Sequence, residues 1–184
     1  MNSSLSIKLP SSVKTGWEDS NIAALANQSG QFKSKLGAEI VQTSLAEKGI
    51  SCSITDNGNL SFGSKYVSEI RTSFASIQNN RKSFWFNQIR PNVDNWTHLH
   101  LVCVHPEKVE IYEYTKEEIL ALCEDAAGLD HIGQEGDLLA VNVYQPINVY
   151  HSRKKGNYWK LECYGKKVSE FSTDKIQLVS NEAK

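Results

Sequence analysis

The chain has 184 residues, a formal net charge of −1, and hydrophobic and charged fractions of 40% and 22%. That length suits one domain with a single buried core, and the near-neutral balance excludes a global attraction to nucleic acid, so a polyanion must meet a local basic patch. Cys52, Cys103, Cys123 and Cys163 are widely separated and form neither a metal knuckle nor a disulfide framework, no apolar run reaches the roughly 18–20 residues of a bilayer span, and no basic-then-apolar leader is present, so a cytoplasmic protein without membrane attachment is expected.

Residues 1–30, rich in Ser and Asn, show little periodicity and are expected to form an N-terminal arm with one short helix around residues 22–26. Over residues 31–48, Phe32, Leu36 and Ile40 recur every fourth position, Val41 and Leu45 widen the stripe, and Gly49 is placed to stop the helix. Glu39 falls roughly 20° from Phe32 on a helical wheel, at the margin of that stripe. Residues 50–55, 60–62 and 65–71 read as three strands of a meander, with Asp56-Asn57-Gly58-Asn59 as an Asn-Gly turn between the first two. Residues 74–82 are polar and are expected to form a short surface helix or a loop. The aromatic cluster Phe84-Trp85-Phe86 follows.

Residues 96–104 are almost wholly apolar apart from His98 and His100, as in a strand covered on both faces, and residues 108–114 follow as its hairpin partner. Thr115-Lys116-Glu117-Glu118 is a capping box opening a helix that runs to about residue 127, where Gly128 ends it. A loop with His131 leads to an alternating strand at 138–144. The remainder reads as a β-rich tail, with strands near 158–161 and 167–171.

Two constellations carry chemistry. Glu69 and Arg71 stand two apart on a predicted strand, so both side chains share a face. The acid can hold a divalent cation through oxygen, and the cation can orient water or steady charge on a phosphate. The same alternation also serves simply to keep a strand face wet. In the second constellation, residues 153–160, four cations (Arg153, Lys154, Lys155, Lys160) lie beside Tyr158 and Trp159 in a turn between strands. Such a segment meets phosphates through its charges and bases through its rings, or is a solvated hairpin tip. His98 and His100 share one strand face, but two ligands are too few for zinc, and satisfied buried histidines are expected.

The order of helix, three strands, helix or loop, and buried strand, with Glu39 on the helix and Glu69-Ile70-Arg71-Thr72-Ser73 on the third strand, resembles the core of the PD-(D/E)xK nuclease superfamily. Residues 85–91, 96–106 and 114–118 look like the later blocks of restriction-endonuclease-like proteins in that superfamily, and the resemblance covers residues 31–145. It implies an α/β fold with a mixed central β-sheet flanked by helices, with residues 1–30 as the arm and 146–184 as a β-rich extension of the same domain. It further implies a Mg²⁺-dependent endonuclease acting on double-stranded DNA as a homodimer, or a catalytically silent module of the same fold that binds DNA or a protein partner. The implied site is Glu39, Asp56, Glu69 and Arg71, with Asp56 and Glu69 on the metal and Arg153, Lys154, Lys155 and Tyr158 on DNA. The chain departs from the pattern at two places: Arg71 stands where a lysine is expected, and the second-strand acid is either Asp56, inside the turn, or is replaced by Asn59.

Overall fold

The Phe32–Leu36–Ile40 stripe folds into α2 (Gly30–Glu47), capped by the Ser29 hydroxyl, which accepts from the Phe32 N–H at 3.2 Å, and stopped at Gly49 with φ +78°. The computed structural model describes residues 4–63, 65–78, 81–89, 95–120, 139–144, 148–154, 157–162 and 166–180. Before α2 come β1 (Leu5–Leu9) and α1 (Asp19–Ala26). After it come β2 (Ser53–Ile54), β3 (Leu60–Phe62), β4 (Tyr66–Phe74), β5 (Ser76–Gln78), β6 (Arg81–Ile89), β7 (His98–Val104) and β8 (Lys108–Thr115). A helix, α3, opens at Lys116 and is described over 116–120. Then follow β9 (Leu139–Tyr144), β10 (Asn148–Lys154), β11 (Asn157–Glu162), β12 (Lys166–Ser172), a 3₁₀ turn (Thr173–Lys175) and β13 (Ile176–Ser180).

The fold is mixed α/β. A six-stranded sheet in the order β12-β8-β7-β4-β3-β2 is antiparallel except where β4 runs parallel to β7. A second, five-stranded sheet has the order β11-β10-β9-β6-β5, and β1 pairs in parallel with β13. The six-stranded sheet is buried on both faces. One face carries Ile70, Phe74, Val102, Val104, Val109 and Ile111 against Ile22 and Leu25 of α1, Leu36 and Ile40 of α2, and Ile7 and Leu9 of β1. The opposite face carries Leu99, Leu101, Cys103, Tyr112 and Tyr114 against Phe84, Phe86 and Ile89 of β6 and Ile119 of α3.

Three expectations need correction. Residues 5–9 are not an arm but a strand whose Ile7 and Leu9 are core residues, secured further by the Trp17 indole N–H donating to the Ile176 carbonyl at 3.1 Å. The described residues of 74–82 form no surface helix: Phe74 ends β4, Ser76–Gln78 is β5, and Arg81 and Lys82 open its antiparallel partner β6. The sheet is therefore flanked by α1 and α2 on one face, whereas β6 and the start of α3 cover the other. The capping box forms as read: the Thr115 N–H donates to Glu118 Oε2 at 2.7 Å and the Glu118 N–H to Thr115 Oγ1 at 3.2 Å. No helix among the described residues is long and apolar enough to cross a membrane.

At Gly37, α2 packs tightly on β4: a β-carbon there would overlap the Thr72 hydroxyl and stand 3.0 Å from the Ile70 methyl. Gly30 has nothing within 4 Å of the same position. Alanine in a helix gains about 1 kcal/mol over glycine, but overpacking costs about 1–3 kcal/mol. Gly37→Ala should therefore lower the urea midpoint by up to about 2 kcal/mol of stability, while Gly30→Ala should leave it unchanged or raise it.

Candidate functional site

β3 pairs with β4 only through Leu60↔Ser68, Ser61↔Val67 and Phe62↔Tyr66. Ahead of Leu60 the chain turns away: the Gly58 N–H donates to the Thr55 carbonyl at 2.9 Å, the Thr55 N–H donates to the Asn59 carbonyl at 2.8 Å, and Gly58 takes φ +78°. This is the Asn-Gly turn, whose left-handed residue costs glycine nothing. The turn stands off from β4 just where Glu69 and Arg71 follow Ser68. A cleft of about 550 Å³ opens there, walled by Ser34 of α2, by Thr55, Asn57 and Asn59 of the turn, by Glu69 and Arg71, and by Asn95 and Trp96 ahead of β7.

Arg71 Nη2 lies 2.6 Å from Glu69 Oε1, with Glu69 only 9% exposed and Arg71 half-buried. A carboxylate this far from water needs a charged, hydrogen-bonded partner, and the guanidinium supplies one. The rest of the lining is largely neutral and polar. Trp96 is buried with its indole N–H lacking an acceptor among the described residues, and Lys116 Nζ lies 5.5 Å from its ring centroid.

Of the residues singled out from sequence, Glu69, Arg71 and Asn59 come together in this cleft. Asp56 does not: it is exposed on the outside of the turn and lines an adjoining cleft with Gln31 and Lys35, which shares Ser34, Thr55 and Asn57 with the first. Glu39 is not there either. Gly37 is the α2 residue pressed onto Ile70 and Thr72, and a residue two positions on points about 200° away around the helix. Glu39 therefore turns from the sheet toward β1, in a separate cleft with Lys8, Phe32 and Lys35, while Glu69 lies on the far face of β4. Burial raises the Glu39 carboxyl, and Lys35 offsets this in part. In the basic segment, Arg153 and Lys154 end β10 and pair with Tyr158 and Asn157 of β11; Lys155 and His131 lie outside the described residues.

Two buried polar clusters lie away from the cleft, and in the first His100 is the satisfied buried histidine expected from the sequence. Across β4, β7 and β8, the Ser68 hydroxyl pairs with His100 Nδ1, and His100 Nε2 lies 2.9 Å from Glu113 Oε2. The hydrogen bond from His100 holds the Glu113 carboxyl below the usual carboxylate range against the opposing effect of burial. Beside this relay, Tyr66 stacks on His98 at 4.1 Å, with burial and the Glu113 carboxylate raising the phenol and burial lowering the imidazole. The hairpin reading of 98–115 already sets His100 opposite Glu113, but nothing local marks Ser68. On the other face, Glu110 is 2% exposed, with Oε2 2.9 Å from His105 Nε2 and Oε1 3.1 Å from Lys108 Nζ.

Among the described residues no group of three or more His, Cys, Asp or Glu side chains could hold a metal ion. The cleft's donor set is one carboxylate with amide and hydroxyl oxygens. Those are hard donors suited to Mg²⁺, which binds through one or two carboxylates when a phosphate and water complete its shell, but they are no cage by themselves. No protein-family model, curated protein or solved structure matches the chain.

Burial works to raise the Glu110 carboxyl, yet the hydrogen bonds from His105 and Lys108 outweigh it and hold it down at about 2. A depressed carboxyl stabilises the fold fully above its unfolded value of 4.5 and loses that contribution as pH falls toward about 2. Glu110→Gln should lose about 1.5–3 kcal/mol at neutral pH, the range for hydrogen bonds to a charged group. The variant's urea midpoint should also fall less steeply than that of the wild type between about pH 4.5 and 2.

Proposed function

We propose that the chain is a restriction-endonuclease-like protein that hydrolyses phosphodiester bonds of double-stranded DNA at the Glu69–Arg71 cleft, with Mg²⁺ as cofactor. The observation that carries this reading is the contact of one carboxylate with one guanidinium inside a polar cleft, at the point where β3 parts from β4. The succession of α2, the β2–β3–β4 meander and a later buried strand supports it, because the sequence resemblance implies that order, although the β5–β6 hairpin stands where the order has a helix or loop.

Glu69 would hold the metal, with the Asn59 carboxamide beside it, and bound Mg²⁺ would supply an activated water and shield the phosphate charge. Arg71 cannot accept a proton from that water. Its five N–H donors can keep Glu69 in place and still hold a phosphate oxygen, where they would stabilise the negative charge that grows in the transition state. Arg153, Lys154, Lys155 and Tyr158 would bind the DNA backbone and bases. Cleavage of both strands calls for two such clefts, hence a two-fold homodimer.

A second reading, a DNA- or protein-binding module without hydrolysis, is favoured by Asn59 and Arg71 at the two departing positions and by Glu39 lying in another cleft, which leaves Glu69 as the single carboxylate. Supercoiled plasmid incubated with wild type and Glu69→Ala in Mg²⁺, Mn²⁺ and EDTA separates the two. Metal-dependent nicking that Glu69→Ala abolishes is the expected result. DNA binding with no nicking in either metal supports the silent module, and neither binding nor nicking overturns both. Replacing Arg153, Lys154 and Lys155 together by alanine should weaken DNA binding and flatten the slope of log K against log salt by about 0.9 for each phosphate the variant no longer neutralises. An unchanged slope would exclude that segment.

A further inference from the structure

The phosphate half of the cleft does not account for its walls. Asn57 and Asn59 from the turn, and Asn95 from the segment ahead of β7, place three carboxamides around Glu69 and Arg71. A carboxamide is a poor phosphate ligand, because it offers an acceptor beside each donor and carries no charge. It suits a flat edge that alternates donors and acceptors, the signature of a nucleobase, and asparagine matches the N6–H and N7 of adenine together. Nothing in the turn's own hydrogen bonds uses these side chains: its backbone is closed by main-chain bonds and by the Thr55 hydroxyl, which accepts from the Asn59 N–H at 3.2 Å. The volume, about 550 Å³, falls within the roughly 300–1,000 Å³ of small-molecule sites and exceeds what one phosphate needs.

We infer that the cleft takes a whole nucleotide, with its phosphate at Arg71 and an unpaired base, adenine foremost, against Asn57 and Asn95, Asn59 being left to the metal side. The phosphate placement rests on the function proposed above; the base placement rests on the carboxamides. A base held there is out of the helical stack, so the cleft favours a flipped, mismatched or single-stranded nucleotide over a paired one.

Calorimetric titration in EDTA with dAMP and with 2-deoxyribose 5-phosphate, which has the same phosphate and no base, tests the inference. dAMP is expected to bind at least tenfold tighter. Asn57→Ala and Asn95→Ala should each cut dAMP affinity several-fold while leaving the sugar phosphate unchanged, and the shape-conserving Asn57→Asp should do the same to dAMP. Arg71→Ala should weaken both ligands. Equal affinity for dAMP and the sugar phosphate, binding of neither, or asparagine variants that do not alter dAMP affinity would each overturn the inference. Competition against dAMP by a hairpin oligonucleotide with one unpaired adenine would assign the nucleotide to DNA, and its failure while dAMP binds would assign it to a free nucleotide. Plasmid nicking reports hydrolysis separately: nicking without a preference for dAMP removes the base site alone, and dAMP selectivity without nicking removes the hydrolytic reading alone.

Discussion

The parallel pairing of β4 with β7 is the constraint on which the rest depends. Seven consecutive pairs, from Ser68↔His98 to Phe74↔Val104, hold β4 in a single register. Alternation along that strand then sends Ile70 and Thr72 beneath α2 and Glu69 and Arg71 to the opposite face. A slip by one residue would exchange the two sets, placing a charged pair against the helix and taking it off the face that carries the cleft. Apolar packing on both sides of β7 opposes such a slip. Val102 and Val104 belong to the core under the helices, and Leu99, Leu101 and Cys103 to the core under β6.

The cleft follows from what β4 lacks. β3 accompanies it for three residues, and the Asn-Gly turn then carries the chain away, so the polar pair emerges at a notch in an otherwise covered sheet. Elsewhere the sheet pairs its buried carboxylates and His100, although the Thr72 hydroxyl and His105 Nδ1 have no partner among the described residues. Ser68, His100 and Glu113 form one continuous relay on the helix face, and Glu110 is neutralised from two directions at the β7–β8 hairpin. Buried polar groups are costly unless they are paired, and these are paired within the sheet or with side chains at its edge. Glu69 is paired as well, yet together with Arg71 it borders an open space large enough for a ligand.

Helix α2, its glycine stop, the meander, the β7–β8 hairpin and the capping box at Thr115 were all legible, because each is written in local periodicity or cap chemistry. What escaped was non-local. Leu5–Leu9 has a strand's alternation, but its partner lies at the far end of the sequence, and Ser- and Asn-rich flanks disguise it. The polar run at 74–82 lacks a hydrophobic stripe, so its strand pairing is decided by β6 rather than by its own composition. For the candidate site, a period of two was enough to join Glu69 to Arg71. Glu39 does lie half-buried at the margin of the apolar stripe beside Phe32, as the helical wheel has it; its place in the site came from the family resemblance, and a wheel does not say which neighbour that margin faces. Gly37, through its contact with Thr72, decides it.

The pairing of β1 with β13 has a consequence for biosynthesis. Ile7 and Leu9 leave a ribosome long before Ile176 and Leu178, yet all four share one core. β1 must therefore wait, unpaired, until β13 has emerged, so this part of the fold cannot close while the intervening chain is still being made. Closure of so long a loop is slow and leaves the nascent molecule dependent on shielding until β13 arrives.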